Sequence, residues 1–259
     1  MPPGLSDVRS RDLWKESESV NRTVPFFCHA TEEESCRLVL PDPNVSGAAL
    51  GNPVGVDGAR VARRRGSATV PDTVPSERIE SARLIMRCWH PHDAPLLKAA
   101  LDSRLPELQR WTPWAMNEPS ELDVLEDQLS GYRDDFFAGR SALFALMDPD
   151  ETEVLGGAGL YRRVGPHALE IGYWVRSDQA GQGLATEAAQ AMTDVGFMLS
   201  GIERIEIYCD PLNVPSIAVP RKLGYDHGEM VVDHAVGPRG ELRETMIWRL
   251  TADGYGATR

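Results

Sequence analysis

Gly181-Gln182-Gly183 stands between a strand-like run at 168–175 and an Ala-rich helical run at 184–199. Glycine accepts positive φ and leaves room for a ligand against the backbone. The first amides of a helix have no acceptor within it, and the helix dipole adds positive potential there. The amides from Gly181 to Ala185 therefore form an anion site suited to a diphosphate. An ordinary tight turn from strand to helix would carry the same residues. A dinucleotide fingerprint needs G-x-G-x-x-G directly after the first strand, whereas this loop follows the fourth and has Thr186 in the last place. A Walker-type loop is excluded because no Gly-Lys-Ser/Thr follows.

Glu170 lies on the strand ahead of this loop, within Leu169-Glu170-Ile171-Gly172-Tyr173-Trp174. By alternation it shares a face with Gly172 and Trp174, opposite Ile171 and Tyr173. A carboxylate there can serve as a general base; a solvated strand glutamate is the plainer alternative. Downstream, Asn213 and Ser216 follow the strand-like run 204–209. Ser216 suits the N-cap of a short helix at 216–223, and Asn213 suits a turn after Pro211. His90 and His92 are two apart in a Pro-containing loop with no further ligand set, so no metal site is expected. No G-x-S-x-G elbow occurs. Cys28, Cys36, Cys88 and Cys209 include no CxxC pair, so a reducing compartment is expected.

The elements that position these residues begin near Arg78. A first strand is expected at 83–87, then a helix capped by Asp93 and running to about Leu101. Trp111-Thr112-Pro113-Trp114 reads as a rigid loop. Ser120, with Asp123 three residues on, would start a second helix. Its apolar stripe is Leu122, Leu125, Leu129, Tyr132 and Phe136, and Gly139 would end it. Strands at 142–147 and 154–160 flank the acidic turn Asp148-Pro149-Asp150-Glu151 as a hairpin. After the loop and its helix come strand 204–209, the short helix, and a final strand pair at 228–236 and 244–250. The order β-α-α-β-β-β-α-β-α-β-β implies a mixed α/β sheet with helices on both faces.

Residues 1–77 read as a low-complexity, disordered extension, rich in Gly, Pro, Ser and Ala between Pro41 and Pro75 and carrying the basic run Arg63-Arg64-Arg65. Residues 253–259 read as a tail. Hydrophobic residues make up 42% of the 259, enough for an ordinary core, and the net charge is −12. Residues 1–75 hold nine basic and ten acidic residues, a charge of −1, so −11 falls on 76–259. That field disfavours nucleic acid and anionic membranes and favours cationic partners such as amines. No run of 18 apolar residues and no signal pattern occurs, so a cytoplasmic, non-membrane protein is expected.

Gln179-Ala180-Gly181-Gln182-Gly183-Leu184-Ala185-Thr186-Glu187-Ala188 and Asn213-x-x-Ser216…Lys222-Leu223-Gly224-Tyr225 together resemble the GNAT N-acetyltransferase superfamily. The resemblance is in particular to the branch similar to the ribosomal-protein N-terminal acetyltransferases (RimJ/RimL-like). Arg83-Leu84-x-x-Arg87 and Trp111-x-Pro-Trp114 are similar to the same branch. The family's phosphate loop is Gln/Arg-x-x-Gly-x-Gly/Ala; its first anchor falls on Ala180, with Gln179 beside it. The resemblance spans 78–252. It implies a mostly antiparallel sheet of about seven strands and acetyl-CoA as cosubstrate. The acceptor would be a primary amine, either a protein N-terminus or a small molecule such as a polyamine, aminoglycoside or amino-acid-like amine. It also allows a homodimer, and a module that holds CoA without turnover. Implied cofactor contacts are Trp174, Val175, Gln179, Gly181, Gln182, Gly183, Leu184, Ala185, Thr186 and Asn213, with the Val175 amide as oxyanion donor. Glu170 would be the base, directly or through water, and Ser216 the acid for the departing thiolate, with Tyr208 as an alternative acid.

Overall fold

The computed structural model describes residues 74–257 apart from Arg104 and residues 237–240. The expected extension, except for its last four residues, and the Arg63–Arg65 run, Cys28 and Cys36 lie outside the described residues. Among the described residues, eight strands form one sheet in the order β1-β2-β3-β4-β5-β6-β8-β7. They are β1 (Arg78–Glu80), β2 (Ile85–Cys88), β3 (Ser141–Met147), β4 (Val154–Tyr161), β5 (Ala168–Val175), β6 (Arg204–Cys209), β7 (Asp226–Val236) and β8 (Leu242–Thr251). Neighbours pair antiparallel except β5 and β6, which run parallel. The helices are α1 (Ala94–Ser103), α2 (Leu105–Trp111), α3 (Leu122–Phe137), α4 (Leu184–Met198), α5 (Val214–Lys222) and α6 (Ala252–Ala257).

The parallel pair dictates the rest. Parallel neighbours need a crossover, and α4 supplies it across one face of the sheet. Its Leu184, Ala188, Ala189 and Met192 bury against Leu160, Leu169, Ile171, Ile205 and Ile207. The small residues at 188 and 189 let the helix lie close to the strands. On the other face α1, α2 and α3 bury Leu97, Leu101, Leu108, Leu125, Leu129 and Tyr132 against Leu143, Ala145, Met147 and Trp174. Alternation along β5 decides which core each side chain joins: Leu169 and Ile171 face α4, and Trp174 faces α2 and α3.

Several local expectations are corrected. Asp93 does not cap α1. It sits at the end of a tight turn capped by His90, where it accepts the His90 amide at 2.8 Å and takes Arg87 in two bonds of 2.7 and 2.8 Å. A buried carboxylate gains more from a fork-shaped guanidinium than from one helix amide. Ser120 does not cap α3; the cap position is Glu121, with no side-chain bond. Leu122 is exposed, while the other four residues of the α3 stripe are buried. The sheet has an eighth strand, the short edge β1, and α2 is an additional helix. The segment expected as a tail begins as α6, whose Tyr255 stacks on Phe197 at 4.8 Å and donates to Asp194 at 2.7 Å. At the other end, Val74 packs on the core, ahead of the expected start of the domain.

Candidate active site

β5 and β6 pair only from Ala168↔Arg204 to Ile171↔Ile207, yet β5 runs on to Val175 and β6 to Cys209. Beyond Ile171 the two strands part. The Arg176 amide donates to the Leu155 carbonyl at 2.8 Å. Antiparallel alternation then turns the N–H and C=O of Trp174 toward β4, and those of Tyr173 and Val175 toward the vacated edge. The Tyr173 hydroxyl crosses the gap, donating to the Ser216 carbonyl at 3.1 Å and lying 3.4 Å from Ser216 Oγ. Burial pushes this phenol well above its ordinary pKa.

The loop after β5 holds Gly181 at φ 77° and Gly183 at φ 86°. Gly183 is the N-cap of the 15-residue α4 and makes no side-chain cap bond. The first α-helical bond runs from the Glu187 amide to the Gly183 carbonyl at 3.0 Å. The amides of Leu184, Ala185 and Thr186 therefore have no acceptor within the helix. A Cβ on Gly181 would meet nothing within 4 Å. Positive φ, not crowding, is what demands glycine there.

A clamp that sequence reading missed shapes this loop. Arg83, in the turn between β1 and β2, donates Nε to Glu187 at 2.8 Å and Nη1 to the Gln182 carbonyl at 2.7 Å. Glu187 also accepts the Ser81 hydroxyl and the Arg83 amide, both at 2.8 Å. Arg83 and Glu187 each lie in a motif of their own, but a separation of 104 residues carries no signal of contact.

A cleft of about 490 Å³ joins these features. Tyr173, Trp174, Val175, Gln179, Gly181, Gly183, Leu184, Ala185, Thr186, Asn213 and Ser216 line it. Gln182 does not; its side chain donates to Gln179 at 3.1 Å. The opposite wall comes from α2 and the turn after it: Glu107, Leu108, Trp111 and Thr112. Trp174 stands edge-on to Trp114, ring centroids 6.1 Å apart.

Asn213, not Ser216, caps α5, its Oδ1 accepting the Ser216 amide at 3.2 Å. Ser216 is thereby freed from capping. Its hydroxyl donates to Cys209 Sγ at 3.4 Å. Burial pushes the Cys209 thiol up to about 11, and Cys88 likewise.

Glu170 is 3% exposed and is not among the residues that line the cleft. Its two oxygens accept Arg163 Nε at 2.7 Å and Nη2 at 2.6 Å. Its partner in register is Glu206, also buried, which accepts Arg204 and Arg249 on one oxygen and the Tyr208 hydroxyl on the other, each at 2.8 Å. Burial, then the Glu206 carboxylate, raises the Tyr208 pKa, so this phenol holds its proton and makes a poor acid. The pairing of these three arginines with the two carboxylates was invisible in the sequence, because single basic residues on a loop (Arg163) or on strands (Arg204 and Arg249) carry no periodicity.

Among the described residues no group of three or more His, Cys, Asp or Glu could hold a metal ion, and no helix is long and apolar enough to cross a membrane. His90 and His92 instead contact one another.

An amide cradle at a helix start thus opens into a slot between diverging parallel strands. The chain belongs to the GNAT acetyltransferases: residues 83–226 match the family model described as "Acetyltransferase (GNAT) domain". Curated relatives share N-acetyltransferase activity in their names. One is the [ribosomal protein uS5]-alanine N-acetyltransferase of Escherichia coli, 27% identical over 70% of this chain and 94% of that protein. Another is the uncharacterised N-acetyltransferase YnaD of Bacillus subtilis, 36% identical over 31% of this chain and 48% of that protein. Among solved structures, RimL in complex with CoA superposes with TM-score 0.62 at 20% identity, covering 69% of this chain and 99% of that one. RimJ of Mycobacterium smegmatis gives 0.58 at 24%, covering 66% and 82%.

Proposed function

We propose that this acetyltransferase transfers the acetyl group of acetyl-CoA to the α-amino group of a protein N-terminus. The observation that carries this reading is the shared cleft: the α4 amides, the freed edge of β5 and the Ser216 hydroxyl all line one space. The residues present fit acetyl-CoA. Positive φ at Gly181 and Gly183 turns the backbone so that the amides of residues 183–186 hold the diphosphate. The unpaired groups of Tyr173 and Val175 receive the pantetheine arm as a neighbouring strand would be received.

The amine nitrogen attacks the thioester carbonyl carbon, the carbon–sulfur bond breaks, and the sulfur leaves as thiolate. The Val175 amide donates to the oxygen that gains charge. Ser216 Oγ donates its proton to that sulfur as it takes one from solvent water, so that the product is a neutral thiol and the hydroxyl is restored. Glu170 receives the amine proton through water, since its carboxylate does not line the cleft and is held by Arg163. An α-amino group, with pKa about 7.7–8.0, gives up its proton far more readily than a lysine at about 10.4. A single carboxylate therefore suits an N-terminus. The acidic charge of the domain suits a cationic acceptor, and one relative is named a [ribosomal protein uS5]-alanine N-acetyltransferase.

Thiol release from acetyl-CoA, measured against N-terminal peptides, polyamines and aminoglycosides, tests this. Ser216→Ala should lower kcat on the best peptide by roughly a hundredfold while leaving acetyl-CoA affinity intact, and Glu170→Gln should do likewise. Full turnover in both variants would remove the assigned roles. Turnover confined to polyamines or aminoglycosides would replace the acceptor.

A further inference from the structure

Arg243, near the start of β8, joins three parts of the molecule with one guanidinium. Its Nη1 donates to Asp210 Oδ2 at 2.9 Å and to the Arg110 carbonyl at 3.2 Å. Its Nε and Nη2 both reach Glu241, at 2.9 and 2.7 Å. The two Nη1 contacts fall on segments that lead into different parts of the cleft lining, Trp111 and Thr112 on one and Asn213 and Ser216 on the other.

The Arg110 carbonyl belongs to the last turn of α2, where carbonyls lack a partner within the helix and the dipole favours a cation. The next two residues, Trp111 and Thr112, line the cleft. Asp210 stands at the head of the loop between β6 and α5. Its other oxygen accepts the Leu212 amide at 2.8 Å, and its carbonyl accepts the Asn213 amide at 2.9 Å. Asn213 in turn caps α5 at Ser216. A continuous chain of bonds thus runs from the α2 wall through Arg243 and Asp210 to the residue that places the Ser216 hydroxyl. Asp210 is 14% and Arg243 23% exposed. The pair is shielded from solvent more than a surface ion pair and so is screened less.

We propose that Arg243 is a positioning residue that holds the α2 wall at a set distance from the Asn213–Ser216 loop and so sets how tightly the acceptor is gripped. The inference rests on the acetyl-transfer reading for what enters the cleft. It does not involve the diphosphate cradle, which Arg243 does not touch. The two sides of the cleft should therefore respond separately to its loss.

Steady-state kinetics on the full chain tests this. Arg243→Ala should raise the acceptor KM about tenfold while the acetyl-CoA KM stays within about twofold. Arg243→Lys, a point charge able to serve either Asp210 or the Arg110 carbonyl but not both, should fall between. Asp210→Asn should give a smaller loss, and the double variant should lose less than the product of the two single losses. Equal rises in both KM values, or independent losses at 210 and 243, would overturn the proposal. Should the wild type acetylate no amine, the acetyl-transfer reading fails, and hydrogen exchange then reads the latch directly. Arg243→Ala should speed exchange at 108–117 and 211–216 together; faster exchange confined to residues near 243 would sink it.

Discussion

Most of the α4 side of the cleft comes from one stretch of chain, between residues 173 and 186, while the α2 wall is tied to the Asn213–Ser216 loop by a side chain near the start of β8. The first is built from backbone: positive φ, unpaired amides, a strand edge. The second is built from side chains that must meet across long separations, such as Arg243 and Asp210. Backbone machinery tolerates many side chains and announces itself by glycine spacing. Side-chain machinery tolerates few and announces itself hardly at all. The α2 side is thus the more vulnerable to single substitutions and the freer to change acceptor without disturbing the cosubstrate.

Three substitutions break or sharpen that contrast. Trp114→Ala should have the largest effect. Trp114 is 7% exposed and stands edge-on to Trp174. Truncation should cost about 3–5 kcal/mol in urea unfolding and abolish acceptor turnover, while the folded fraction still binds acetyl-CoA. Gly183→Val strikes the other side. At φ 86° a β-branched residue costs about 1–2 kcal/mol. Acetyl-CoA affinity by calorimetry should drop about tenfold, with the acceptor KM unchanged at saturating cosubstrate. The smallest effect is a pH dependence. Burial alone would raise Glu187, but the Ser81 hydroxyl and the Arg83 amide and guanidinium outweigh it and hold the carboxyl below its ordinary 4.5. The clamp's contribution is complete above that ordinary value and is lost as pH falls through the lowered one. Acetyl-CoA affinity should weaken below about pH 4.5 in the wild type, and Glu187→Gln should flatten the profile.

Residues acting locally were legible. Strand bounds at 168–175 and 204–209 match β5 and β6, and the glycine loop sits at the start of α4 as its spacing implies. Hidden elements were short or strongly charged: β1 has three residues, two of them charged, and α2 has seven with Pro106 in its first turn. Caps were misplaced where a competing partner won, as when Arg87 took Asp93. The ion pair on Glu170 was out of reach of sequence reasoning. Arg163 lies in the connection between β4 and β5, and nothing in its neighbours marks it as the carboxylate's partner.

The slot between β5 and β6 has a cost for the empty protein. Its outward amides at Tyr173 and Val175 are a sheet rim placed in the interior, and a rim accepts any extended chain that reaches it. A cosubstrate arm with amides of its own, laid along that rim, would cover it. The protein should then self-associate less with CoA present than without it, which light scattering at matched concentrations would show.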